Sequence, residues 1–128
     1  MKVDRLDHFV LTVKDVEATC AFYVNVLGME EASFGTGRKS LVFGKAKINL
    51  HEYGHEYEPK AGQPTPGSAD LCFVTEVTIA EVIEHVRSLA VKIEEGPVKR
   101  IGAFGEIVSV YIRDPDKNLI EISNDIER

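Results

Sequence analysis

The stretch RLDHFVLTVKDVEATCAFYVNVLGM, Arg5–Met29, decides how the rest of the chain is read. Its first nine residues, Arg5–Val13, are rich in β-branched and aromatic side chains and bounded by charge. That composition predicts a strand. Val16, Cys20, Tyr23, Val24 and Leu27 then recur at helical spacing. Asp15 is a suitable N-cap, and Gly28 a suitable C′ glycine, so a helix is expected from about Val16 to Leu27.

Outward from this strand–helix pair, MEEASFG, KSLVFG and KINLHEY read as three short strands. Gly35–Thr36–Gly37 and Gly44–Lys45–Ala46 supply their turns. The order then recurs. ADLCFVTE (Ala69–Glu76) predicts a strand. TIAEVIEHVRSLA (Thr78–Ala90) predicts an amphipathic helix, with Thr78 and Glu81 as a capping box and Ile79, Val82, Ile83, Val86 and Leu89 as its apolar face. VKIEEGPV, EIVSVYIRD and NLIEISN predict three more strands, with Asp114–Lys117 as the turn before the last. The chain therefore reads as βαβββ twice, an internal duplication with a period of about 64 residues. The fold class expected is α+β: two modules of curved mixed sheet around a cleft, with helices on the outer faces. The first module spans residues 1–53 and the second 68–128. Residues 54–67 form a linker that holds three of the five prolines.

Bulk composition narrows the function. The 128 residues are 44% hydrophobic and 28% charged, with a net charge of −6. No Lys/Arg run stands out, so nucleic acid and anionic membrane are not expected partners. No stretch approaches the length of a membrane span, and nothing at the N-terminus resembles a signal peptide, so a cytoplasmic protein is expected. Cys20 and Cys72 lie in apolar stretches and are expected to be buried free thiols.

Strand alternation places the polar residues. On the first strand, Phe9, Leu11 and Val13 suit packing on the helix, which turns His8 to the inner face. By the same parity Asn49 and His51 face inward on the fourth strand, Asp70 and Cys72 on the fifth, and Glu121 and Ser123 on the last. Two histidines, two carboxylates and an amide thus share the inner faces. Imidazole and carboxylate together suit Zn²⁺, Ni²⁺, Fe²⁺, Mn²⁺ or Co²⁺. Each residue also has a plainer reading. His8 also suits a core histidine bonded to backbone, Glu121 a surface carboxylate, His51 a solvated strand end, and Asp70 either a cap at the strand entrance or a partner of Ser68. His55 and His85 read as solvated, as do Lys99, Arg100 and Arg113, although one of these cations suits a substrate carboxylate or phosphate. Tyr53 and Tyr57 suit either the mouth of the cleft or a cover over the core.

LDHFVLTVKDVEATCAFYVNVLGM and RDPDKNLIEISN together resemble the glyoxalase/bleomycin-resistance/extradiol-dioxygenase superfamily, the vicinal oxygen chelate proteins, over nearly the whole chain. KINLHEYGHEYEPKAGQPTPGSADLCFVTE and EEGPVKRIGAFGEIVSVYIRDPDKNLIE further resemble the subgroup of glyoxalase domain-containing protein 5 and its bacterial virulence-protein relatives. The resemblance implies metal ligands on the first and last strand of each module. His8 matches the first-strand histidine and Glu121 the last-strand glutamate. Asn49 falls where the glyoxalase I pattern has glutamate or glutamine, with His51 two residues later. Asp70 stands where that pattern, the fosfomycin-resistance transferases and the dioxygenases have histidine. Lys117 replaces the usual turn glycine.

The expected function is a glyoxalase-like, metal-dependent lyase or isomerase acting on a small oxygen-chelating substrate. Its metal (Zn, Ni, Mn or Fe) is expected on His8, His51 and Glu121, with Glu121 or Asp70 moving the proton and Asn49 binding substrate. The alternatives are a metal-free small-molecule binding or resistance protein and an Fe(II) extradiol-type dioxygenase. A homodimer with sites shared between chains is expected, because a lone module leaves sheet edges unpaired.

Overall fold

The computed structural model describes residues 1–126 and divides into two compact units, the first Met1–Ser68 and the second beginning at Ala69. In the first unit β1 (His8–Val13), α1 (Val16–Leu27), β2 (Glu30–Phe34), β3 (Arg38–Phe43) and β4 (Ala46–Glu52) follow in chain order. The second repeats the pattern with β5 (Asp70–Val74), α2 (Ile79–Ser88), β6 (Glu95–Gly102), β7 (Gly105–Arg113) and β8 (Leu119–Asp125). The sheet orders are β1-β4-β3-β2 and β5-β8-β7-β6, so the two units share one topology. In each, the first strand pairs parallel with the last and the remaining pairs are antiparallel. The α+β fold of two βαβββ modules is the one expected.

The helices form where their caps dictate. Asp15 Oδ1 accepts from the Ala18 amide at 3.0 Å, and Gly28 ends α1 in the left-handed region at φ 69°. There, glycine escapes the Cβ clash that other residues meet. Thr78 Oγ1 accepts from the Glu81 amide at 3.3 Å and starts α2. Leu89 departs from expectation: it caps α2 and is 43% exposed rather than joining the apolar face.

Each helix covers one face of its own sheet. In the first unit Val13, Tyr23, Leu41 and Ile48 are fully buried; in the second, Val86, Val110, Ile112 and Ile120 are. Each such side chain contributes about 1.5–3 kcal/mol on leaving water. The alternate residues, which face away from the helix, carry the polar groups of interest.

The β6 segment departs from the sequence reading. The strand was expected over Val91–Val98, but it runs over Glu95–Gly102. The Gly102↔Gly105 pair closes a two-residue hairpin over Ala103 and Phe104, and that turn sets the register of the strand before it. Arg100 consequently lies within the sheet, opposite Ile107. Lys117, where the resemblance expects glycine, takes φ 69° in the Asp114–Asn118 turn. Among the described residues no helix is long and apolar enough to cross a membrane.

Candidate functional site

Parallel pairing puts His8, Val10 and Thr12 of β1 on the same sheet face as Lys47, Asn49 and His51 of β4. His8, Asn49 and His51 therefore share one sheet face, as alternation predicts. Their spacing along the strands does not bring them together. His8 pairs with Lys47, and His51 with Thr12. The two histidines are four residues apart along adjoining strands, about 13 Å at the rise of a strand. The expected His8–His51 ligand pair is thus spread along the sheet rather than clustered, and among the described residues it belongs to no group of three or more His, Cys, Asp or Glu that could hold a metal ion. Asn49 is nearer to His8, two residues along and one strand across, about 8 Å between Cα atoms.

His8 is exposed, and its Nδ1 lies 2.8 Å from Asp7 Oδ2. The hydrogen bond from His8 holds the Asp7 carboxyl below its usual range; burial opposes it, and the charge of Arg5 adds a lesser lowering effect. A carboxylate on Nδ1 fixes the tautomer and leaves Nε2 as the free nitrogen, as it does for metal-binding and basic histidines. Asp7 escaped the sequence reading because alternation assigns faces and says nothing about neighbours at a strand entrance.

His51 lies at the other end of β4, 3% exposed, with its ring edge-on to Tyr57 at 5.5 Å. Its Nε2 has no hydrogen-bond partner, and neither do Asn49 Oδ1 and Arg38 Nε. Buried orphans of this kind cost about 1–3 kcal/mol each. Burial pushes the His51 pKa below its ordinary value, the nearby Arg38 charge adds to this, and Glu56 opposes it. The unfolded chain thus binds the His51 proton more readily than the folded one. That contribution to stability is complete above the unfolded value of about 6.5 and is lost as pH falls below it. Urea midpoints of the wild type are therefore expected to drop more between pH 7.5 and 5 than those of His51→Gln. Parallel pH profiles would contradict the assignment.

In the second unit Asp70, Cys72 and Val74 share a face with Leu119, Glu121 and Ser123. Asp70 is exposed at the strand entrance, and neither the Ser68 bond considered from the sequence nor a cap is seen; Ser68 Oγ donates to the Thr65 carbonyl. Asp70 occupies the place in its sheet that His8 has in the first, and Glu121 the place of Asn49. Glu121 anchors a chain of short hydrogen bonds. Ser109 Oγ donates to Glu121 Oε2 at 2.6 Å, the Ser109 and Ser123 hydroxyls are 2.6 Å apart, and Cys72 Sγ lies 3.2 Å from Ser123 Oγ. With one proton per hydroxyl, the direction that satisfies all three contacts runs from Cys72 through Ser123 and Ser109 to Glu121. Burial, and then the charge of Glu121, raise the Cys72 thiol pKa against the lowering effect of Ser123, which keeps the donor proton in place. Cys72 is exposed rather than buried as expected; Cys20 is buried, its thiol pushed up to about 11 chiefly by burial.

Around Glu121 opens a cavity of about 480 Å³. Val74, Ile107 and Phe104 contribute apolar wall; Arg100, Tyr111 and Glu121 contribute polar groups. Arg100 is held in place, Nε donating to Tyr111 Oη at 3.0 Å and Nη2 to Glu95 Oε2 at 3.1 Å. An apolar wall with a few fixed polar groups is the usual make-up of a small-molecule site. The residues do not fit a metal ion within either unit: among the described residues no three His, Cys, Asp or Glu side chains stand together as a ligand set.

Residues 5–122 match the family model for the glyoxalase/bleomycin resistance protein/dioxygenase superfamily. The chain belongs to this superfamily. It is similar to virulence protein STM3117 of Salmonella typhimurium, 56% identical over 123 residues, covering 96% of this chain and 85% of the relative. The crystal structure of that protein superposes with a TM-score of 0.97 over 98% of this chain and all of the other, at 55% identity. Glyoxalase domain-containing protein RDO1 of Mycosarcoma maydis is 52% identical over 124 residues, 97% of this chain and 70% of the relative. More distant is a mutant of the fosfomycin resistance protein FosX from Listeria monocytogenes, complexed with Mn(II) and 1S,2S-dihydroxypropylphosphonic acid. It shows 26% identity and a TM-score of 0.63, over 94% of this chain and 90% of that one.

Proposed function

We propose that this superfamily member binds a small organic molecule in the second-module cavity without a metal ion. The observation that carries the reading is the setting of Glu121. The residue matching the family's last-strand ligand is tied up by Ser109 at 2.6 Å, inside a cavity walled by Val74, Ile107 and Phe104. A ligand with an apolar body and hydroxyl groups suits this surface. Its body covers the apolar wall, its hydroxyls donate to Glu121, and its oxygens accept from Arg100 or Tyr111.

A second reading is the metal-dependent lyase or isomerase, or the Fe(II) dioxygenase. Two observations favour it: Asp7 leaves His8 Nε2 as the free nitrogen, and the FosX relative was crystallised with Mn(II). One experiment separates the readings. Protein stripped with EDTA is titrated with catechol, an apolar ring bearing two vicinal hydroxyls, and binding is followed by the rise in Tm. Saturable binding, unchanged by added Zn, Ni, Mn or Fe and weakened about 10-fold by Glu121→Gln, is the expected result. Binding or turnover that appears only with metal establishes the second reading instead, and O₂ uptake with Fe identifies the dioxygenase.

A further inference from the structure

The first module carries a cluster that the second-module cavity does not use. Arg38 Nε, Asn49 Oδ1 and His51 Nε2 are buried without hydrogen-bond partners. Asn49 is 6% exposed and His51 3%. Both belong to one face of β4, and β3 beside it pairs Ser40 with Asn49 and Lys39 with Leu50, which brings Arg38 next to His51. The Arg38 guanidinium is stacked on two rings, 4.2 Å from the Tyr57 centroid and 4.9 Å from that of Phe34. Tyr57 also meets His51 edge-on. One aromatic residue from the segment after β4 thus covers both the cation and the imidazole.

Buried polar atoms are nearly always paired. Here the needs are of different kinds on one surface: a cationic N–H donor, an imidazole nitrogen and an amide oxygen that accepts. Arg38 excludes a cationic ligand. A simple anion satisfies Arg38 and His51 and offers nothing to Asn49 Oδ1. A neutral polyol offers no charge to Arg38. A carboxylate with an adjacent hydroxyl meets all three needs.

We propose that the first module binds a small 2-hydroxycarboxylate beneath Tyr57, its carboxylate accepting from Arg38 Nε and His51 Nε2 and its hydroxyl donating to Asn49 Oδ1. His51 takes the tautomer with its proton on Nε2. Tyr57, 41% exposed, covers the site, so entry requires its ring to swing aside. No bond is made or broken at this site; it is a binding site only.

The test uses glycolate, with acetate as the anion that lacks the hydroxyl. Binding is read from the His51 ring nitrogen resonances by ¹H–¹⁵N NMR. Glycolate is expected to shift the Nε2 signal saturably, and acetate to bind about 10-fold more weakly. Asn49→Leu brings glycolate down to the acetate affinity, and Arg38→Gln weakens both by about 10-fold or more. Tyr57→Ala removes the cover together with its contacts to Arg38 and His51, and speeds association. The comparison of glycolate with acetate uses the wild type alone, so it stands even where a variant fails to fold. An unmoved His51 signal at tens of millimolar glycolate overturns the proposal. Equal affinity for the two anions, or undiminished glycolate binding by folded Asn49→Leu, does the same.

Discussion

Gly96→Ala is expected to lower stability by about 3–5 kcal/mol and to disturb the Glu121 site at the same time. Gly96 has φ +112°, a region that L side chains rarely adopt. A Cβ there would press into the Ser109 carbonyl oxygen and stand 2.9 Å from Val110 Cα. Both are backbone atoms of β7, so no side-chain rotation relieves the contact. Left-handed strain costs about 1–3 kcal/mol, and forced displacement of packed backbone costs a similar amount. Val110 is fully buried, and Ser109 donates the short bond to Glu121. A shift of β7 therefore acts on core and site together. Urea denaturation measures the first effect and catechol binding the second. A variant within about 1 kcal/mol of wild type would show that β7 yields freely, contrary to its buried, doubly paired setting.

Asn118→Ala is expected to cost about 2–4 kcal/mol. Asn118 is 1% exposed and joins the start of the second module to the turn before its last strand. Its Oδ1 accepts from the Ala69 amide at 2.9 Å, and its Nδ2 donates to Asp114 Oδ2 at 2.8 Å. Asp114 Oδ1 accepts from the amides of Asp116 and Asn118, which closes the turn that Lys117 enters at positive φ. Removing the amide takes two hydrogen bonds, one of them to a carboxylate, and leaves polar partners in a buried place. The β5–β8 register starts here, at Asp70↔Leu119. A lowered Tm with Glu121 still competent to bind catechol in the folded fraction is the expected pattern. A Tm change of less than about 2 °C would mean that water replaces the amide without cost.

The duplicated order of elements was legible in the sequence because it depends on short-range rules. The run from Asp15 to Gly28 names its own helix through cap and periodicity, and α1 spans the residues expected. Alternation likewise fixed the faces: His8, Asn49, His51, Asp70, Cys72 and Glu121 all point to the side away from the helices. A period of two decides the face of a residue and leaves its height along the strand open.

That height was decided only in the tertiary structure, and it altered the candidate site. The pairing of His8 with Lys47, rather than with Asn49 or His51, separates the two histidines by four residues. The hairpin at Gly102–Gly105 moved β6 along the chain and carried Arg100 to Tyr111. Hydrogen bonds between distant residues, Ser109 to Glu121 and Cys72 to Ser123, leave no periodic mark in sequence, since any serine on the right face satisfies the pattern. Burial without a partner, at Arg38, Asn49 and His51, is likewise a property of neighbouring strands and a covering ring. Which residues share a face is a local matter of backbone geometry. Which of them meet is set by strand register and by the side chains that cover them, and both arise only when distant segments pack.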